Sequence, residues 1–314
     1  MTGVSSEILK NLVLAGIRAT ICDARPFPDA VLDTPSFLLP PSATATAKDD
    51  DDDEPASKKP KHDNYKTVGH ALKPVVEDLN LLLGDCELMD KSVAELVEDE
   101  ANAELLKDYP IVVASRISPS QATKLAAWIT AAGNKFYVAD CFGFWGASMM
   151  DLGTHTYRPE VGKRLLDPKP LEPYVPICDS LKTPLHLAVN RFHKQHPPPV
   201  WMRYRCILEY REMTGAWPTE ESATEFVSHI QKWIQTTSPS LADHELFQEE
   251  ALTALAKVAS AEMSPVCAVL GGMVGNEVIK AISGKGEPAN NTVLFDGETC
   301  KAWTFLVRSK EDAK

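Results

Sequence analysis

Apolar positions along the chain keep two rhythms, one of period about 3.6 and one of short continuous or alternating runs. Ile8, Leu9, Leu12 and Val13 share a face and predict a helix over 5–15, with Gly16 placed to cap its C-terminal end. Ile17, Ala19 and Ile21 alternate, predicting a strand over 17–22 that stops at Asp23. Leu72, Val75, Val76, Leu79 and Leu83 predict a helix over 68–83, with Pro74 near its start, where proline is tolerated. Residues 87–90 can form a short strand. Ile111-Val112-Val113-Ala114 is the unbroken apolar run of a strand covered on both faces. Ser118-Pro119 then opens a helix lined by Ala122, Leu125, Ala126 and Ile129 and ended by Gly133. A buried strand over 136–139 runs into Asp140-Cys141-Phe142-Gly143-Phe144-Trp145-Gly146. Strands alternating with helices predict an α/β fold: a parallel sheet, right-handed crossovers, helices on both faces.

That rhythm is interrupted twice. Residues 40–66 are polar, with six consecutive acids at Asp49–Glu54 and a basic Lys58-Lys59-Pro60-Lys61, too poor in apolar area to offset ordering entropy. Over 171–263 the helical patterns at 201–215, 220–236 and 245–260 read as a helical insertion. Ser264-Pro265 then opens a helix to Ser283, with Val266, Val269, Leu270, Met273, Val274, Val278 and Ile282 expected to face inward. Gly271-Gly272 inside it costs ~1 kcal/mol per glycine relative to alanine, a cost usually accepted for close backbone approach. Residues 292–296 and 301–307 form a closing hairpin across Gly297. The organisation is thus an α/β domain begun over 1–39, interrupted at 40–66, continued over 67–170, interrupted by helices at 171–263 and completed at 264–314.

Composition narrows the function. With 32 basic and 44 acidic residues the chain carries a formal charge of −12, which argues against binding nucleic acid through phosphate neutralisation. No apolar run approaches the ~18–20 residues of a membrane span. Seven scattered cysteines without a C-x-x-C point to reduced thiols rather than a disulfide framework or zinc ribbon. His193 and His196 could share a helix face, but no third ligand stands at usable spacing, so surface histidines are expected and no metal site. Lys58, Lys59 and Lys61 fit a short nuclear-import signal, which would place the chain in nucleus and cytoplasm.

Gly3 opens the first helix and Asp23 ends the next strand 20 positions later. That is the spacing of a dinucleotide fingerprint, with glycine for close phosphate approach and an acid for the ribose hydroxyl. The fingerprint needs a preceding strand of ~5–6 residues, and only Met1 and Thr2 stand there. The pair is therefore read as vestigial, and the first, central strand is expected to be missing from the chain as given.

Several segments together resemble the ubiquitin-like activating enzymes: residues 9–16, Cys22-Asp23, Ser36-Phe37-Leu38, and 136–146. The most specific are 264–272 and 277–281, joined by Asn290-Asn291 and Phe295-Asp296-Gly297, which look like the small, non-thioester subunit of the SUMO-activating heterodimer. The resemblance implies a Rossmann-like, ThiF-type sheet and pairing with a large, thioester-bearing subunit. That partner would bind ATP and magnesium, adenylate SUMO and capture it on a cysteine, so this chain would contact SUMO only indirectly. Pro265, Gly271, Gly272, Asp296 and Gly297 are then structural or interface candidates. Catalytic relatives carry an asparagine-arginine-glutamine run after the ribose acid, where this chain has Asp33-Thr34-Pro35-Ser36-Phe37-Leu38. They hold a magnesium aspartate after the strand at 111–115, where this chain has Arg116-Ile117-Ser118-Pro119. The resemblance also implies an arginine-bearing N-terminal segment, which would lie before Met1. No catalytic residue and no cofactor bound by the chain itself are expected. Cys178, beside Asp179, faintly echoes a thioester cysteine, but a neighbouring acid opposes thiolate formation, and a buried structural thiol is expected. Two other functions stay open: a stand-alone nucleotide enzyme (adenylyltransferase or dehydrogenase), and the regulatory subunit of another ubiquitin-like activating system.

Overall fold

The computed structural model describes residues 1–27, 38, 65–162, 164–189 and 196–309. Helix α1 (Gly3–Leu14) leads to strand β1 (Thr20–Cys22), then α2 (Val68–Leu79), β2 (Glu87–Met89), and two short helices, α3 (Val93–Glu98) and α4 (Asn102–Leu106). Strand β3 (Ile111–Ala114), α5 (Pro119–Ala131), β4 (Lys135–Phe142) and β5 (Trp145–Asp151) follow. Four two-residue strands, β6 (Thr156–Tyr157), β7 (Glu160–Val161), β8 (Arg164–Leu165) and β9 (Lys169–Pro170), precede α6 (Ile177–Lys182). The helical stretch holds α7 (Pro199–Thr214), α8 (Ala223–Thr237) and α9 (Glu249–Ala259). Helix α10 (Ser264–Ser283) and the hairpin β10 (Thr292–Asp296) and β11 (Lys301–Phe305) close the chain.

The sheet is Rossmann-like on one side and antiparallel on the other. β3 pairs parallel with β4, and β1 parallel with β2 in a separate two-stranded sheet. β4–β5, β5–β10 and β10–β11 are antiparallel, giving the order β11-β10-β5-β4-β3. Strand β5 went unforeseen because its predecessor reads as a turn. Gly143-Phe144 is a two-residue loop whose first residue sits at φ +59°, the geometry that favours a hairpin over a crossover.

Alternation along the strands builds two cores. Tyr137, Ala139, Cys141, Met150, Val293 and Phe295 pack with α1 and α10. Phe136, Val138, Phe142, Ala147, Met149 and Leu294 face α5 and the helices after it, where Trp201 and Tyr204 are fully buried. Ser118 and Gln121 form a capping box on α5, as Ser118-Pro119 predicted.

Helix α10 departs from expectation at three of its positions. Leu270, Val274 and Val278 are buried, but Val269 and Ile282 are 43% and 51% exposed and Met273 is half-buried. The apolar stripe is wider than the chain's own core needs. By length and composition α10 could also cross a membrane, contrary to the reading of the sequence. Its buried face against α1 and the sheet accounts for that apolarity. A Cβ on Gly271 would overlap the Glu7 side chain and lie 3.2 Å from the Ile8 nitrogen, so glycine sets how closely α1 approaches. Gly272 has nothing within 4 Å of the same position.

Candidate functional site

The N-terminal end of α1 is where a nucleotide fold of this type presents backbone N–H groups to phosphate. Here those groups are already engaged. Thr2 caps the helix, its hydroxyl accepting from the Ser5 N–H at 3.2 Å. The Glu262 carboxylate accepts from the Gly3 N–H at 2.8 Å and the Val4 N–H at 3.4 Å. Glu262 is buried and arrives on the link between α9 and α10, which is pinned to the β4–β5 turn by the Gly143 N–H donating to Ala261 at 2.8 Å. Burial pushes the Glu262 carboxyl above its ordinary value, against the pull of Arg116 and the two amides.

Asp23, at the end of β1, is closed in the same way. Arg25 binds it with both arms, Nε to Oδ1 at 2.9 Å and a terminal nitrogen to Oδ2 at 2.6 Å, and the Met1 ammonium pairs with it as well. Burial raises the carboxyl's pKa, but the guanidinium and ammonium outweigh burial and hold Asp23 below the usual carboxylate range. Gly3 and Asp23 thus lie at the same end of the fold, both occupied by groups of this chain.

The loop after β3 carries a third closure. Thr2 and Ser115 join hydroxyls at 2.9 Å. Arg116, at φ +57°, donates its N–H to Asp140 at 2.6 Å and its guanidinium to the Ser260 carbonyl at 2.8 Å. Tyr204 donates to the other Asp140 oxygen at 2.6 Å, and Arg211 donates to the Arg116 carbonyl. The Trp217 ring lies 4.0 Å from Arg116 and 5.3 Å from Arg211. The acid nearest to this loop, Asp140, is therefore spent on a backbone amide and a buried phenol rather than turned outward for a cation. Burial and Asp140 together push the Tyr204 hydroxyl upward. Among the described residues no group of three or more His, Cys, Asp or Glu could hold a metal ion.

The remaining candidates divide. Gly271 packs on α1, whereas Pro265 and Ala268 are exposed and Gly272 half-buried on the outer face of α10 with Val269. Gly297 donates to the Phe144 carbonyl at 2.8 Å, and Asp296 accepts from the Glu298 N–H at 3.0 Å, so both shape a turn beside the start of α10. Phe144 there is 41% exposed, extending the apolar face of Pro265 and Val269. Cys178 is half-buried in α6 rather than fully buried as expected; burial first and then Asp179 push its thiol up, away from nucleophilic character. His196 meets His244 edge-on, with ring centres 4.8 Å apart. His193, Lys58, Lys59, Lys61, Asp49–Glu54 and the Asp33–Phe37 loop lie outside the described residues. Glu262, Asp140 and Arg211 carry the closures without any local motif; only the three-dimensional meeting of 3, 116, 140 and 262 reveals them.

The fold and site define a Rossmann-like α/β protein whose phosphate end and ribose acid are both bound by its own side chains. No family model matches the chain. It is similar, however, to SUMO-activating enzyme subunit 1 of Dictyostelium discoideum, at 25% identity over 95% of this chain and 82% of that protein. SUMO-activating enzyme subunit 1B-1 of Arabidopsis thaliana is 26% identical over 95% of this chain and 84% of its own length. The Xenopus laevis subunit 1 is 26% identical over 56% of this chain and 57% of its own. The chain is thus similar, over nearly its whole length in the first and second of these, to the small subunit of the SUMO-activating enzyme.

Proposed function

We propose that the chain is a SUMO-activating enzyme subunit that does not itself adenylate, and that it supports ATP-dependent activation on a large, thioester-bearing partner. The observation that carries this reading is the Glu262 carboxylate on the Gly3 and Val4 amides. A triphosphate cannot use those donors while a tethered anion holds them, and two anions within hydrogen-bonding distance of one helix end repel. ATP and magnesium therefore belong on the partner. The exposed face of α10 with Phe144 supports the pairing: Pro265, Ala268, Val269 and Gly272 offer an apolar, glycine-relieved helix surface to a second α/β subunit. Nuclear import through Lys58, Lys59 and Lys61 is part of the same reading, and localisation of a K58A/K59A/K61A variant tests it.

The deciding experiment compares the chain alone, a large subunit alone and the two together in ATP–pyrophosphate exchange and in SUMO thioester formation. Activity is expected only in the mixture, with the thioester on the large subunit. Exchange by the chain alone would overturn the reading in favour of a stand-alone adenylating enzyme. Thioester formation with a different modifier in preference to SUMO would assign the chain to another activating system.

A further inference from the structure

Arg203 of α7 is half-buried, and its guanidinium lies over the Trp145 ring, 4.2 Å from the ring centre. Trp145 opens β5, and the exposed Phe144 before it meets its ring edge-on, with centres 6.3 Å apart. Phe144 is tied in turn to the start of α10. Its carbonyl accepts from Gly297, where an added Cβ would lie 3.3 Å from the Val266 side chain. The cation therefore borders the same outer surface as Pro265 and Val269. Among the described residues Arg203 makes no hydrogen bond and no ion pair. Its neighbours on α7 are held: Arg205 donates to the Thr183 carbonyl at 3.0 Å, and Arg211 to the Arg116 carbonyl. Asp296 and Glu298 at the β10–β11 turn, and Glu245 ahead of α9, pull on Arg203 from a distance without pairing with it.

We propose that Arg203 is an anchor for a carboxylate of the large subunit, gripped as Phe144 and the outer face of α10 dock. This rests on the proposed pairing with a large subunit and adds the charge that subunit must present. Docking over Phe144 covers the ring that carries the guanidinium and strips away its remaining water. A cation desolvated without an acceptor opposes binding, so the partner has to supply one. Stacking on Trp145 holds the stem and leaves the planar fork of N–H donors open to two carboxylate oxygens. The surrounding acids limit the size of the incoming charge. A single carboxylate is drawn to the guanidinium at close range, whereas a doubly charged phosphate would be repelled by Asp296, Glu298 and Glu245. An aromatic ring beside an unpaired arginine is also the composition of an interface hot spot.

The test measures binding of the full chain to a large subunit and its dissociation rate. Arg203→Ala should weaken pairing about thirtyfold or more, chiefly through faster dissociation. Arg203→Lys keeps the charge and the stem but not the fork, and should fall between Arg203→Ala and the unaltered chain. Glu298→Gln should leave pairing within about threefold or tighten it, because it removes a charge of the same sign as the partner's. In the complex of the Arg203→Lys chain, carbodiimide should join position 203 to an acid of the large subunit, identified by mass spectrometry. A cross-link from position 203 only to Glu298 or Glu245 would make the acceptor internal and overturn the proposal. Pairing that Arg203→Ala leaves unchanged would overturn it while the proposed function stands. No pairing by the unaltered chain would overturn the proposed function and this inference with it.

Discussion

Gly271 and Gly272 are adjacent, yet replacing each by alanine should move stability in opposite directions. Both sit in the interior of α10, so each gains the same ~1 kcal/mol of helix propensity from alanine. At Gly271 the new Cβ overlaps the Glu7 side chain and lies 3.2 Å from the Ile8 nitrogen and 3.3 Å from the Glu7 carbonyl carbon. The last two are backbone atoms and cannot swing away, so α1 must shift or strain, at ~1–3 kcal/mol for overpacking. At Gly272 nothing lies within 4 Å, and only the gain remains. Subtracting one variant from the other cancels propensity and leaves the overpacking cost. At ~2–4 °C per kcal/mol, that places the two midpoints roughly 2–12 °C apart, with Gly272→Ala the higher. Thermal unfolding of the purified chain followed by circular dichroism reads this directly. Midpoints within about 1 °C of each other would refute the close α1–α10 approach as the reason for Gly271.

Four further outcomes follow from the same geometry. Glu262→Ala leaves the Gly3 and Val4 N–H groups without their buried acceptor and should cost about 1–3 kcal/mol in denaturant unfolding, with Glu262→Gln costing less. Asp23 is held below its unfolded value, so its contribution is present above the ordinary carboxylate pKa and lost as pH falls through the folded one. The stability difference between the wild type and Asp23→Asn should therefore be largest near neutrality and shrink below about pH 4, read from midpoints across pH. Tyr204→Phe removes the 2.6 Å donor to buried Asp140 and should cost about 1.5–3 kcal/mol by the same unfolding measurement. Val269→Asp, on the exposed face of α10, should leave stability within about 0.5 kcal/mol but weaken copurification with a large subunit at least about tenfold.

What could be read in the sequence was what repeats locally. The apolar run at 111–114, the capping Ser118-Pro119 and the stripe of Leu270, Val274 and Val278 each carry their own periodicity, and each became the element it predicted. The antiparallel half of the sheet was hidden because Gly143-Phe144 shortens what reads as a loop into a hairpin, turning the following residues into β5. Val269 and Ile282 were expected inside because a hydrophobic pattern alone cannot tell which apolar positions of a helix the rest of the chain will cover. Gly3 and Asp23 were legible as a pair from their spacing, but the groups that bind them here were not. Glu262 meets Gly3 across 259 positions of chain, and no local pattern encodes such a partnership.

The closures at 3, 23 and 116 bear on one another. A site that merely lost its ligands would leave helix-end amides and an acid buried without partners, a standing cost of unpaired polar groups. Here each orphan is matched by a tethered partner: Gly3 and Val4 by Glu262, Asp23 by Arg25, the Arg116 amide by Asp140. The elements that in a working nucleotide fold must stay open to exchange ligand are instead tied together, α1 to the α9–α10 link and β3 to β4. Because Glu262 stands two residues before α10 begins, the contact that seals the phosphate end also fixes where the outer face of α10 points. Weakening the seal should therefore weaken docking. A Glu262→Ala chain that loses stability but pairs with a large subunit at the same affinity as the unaltered chain would separate the two and show that the α10 face is positioned by α1 packing alone.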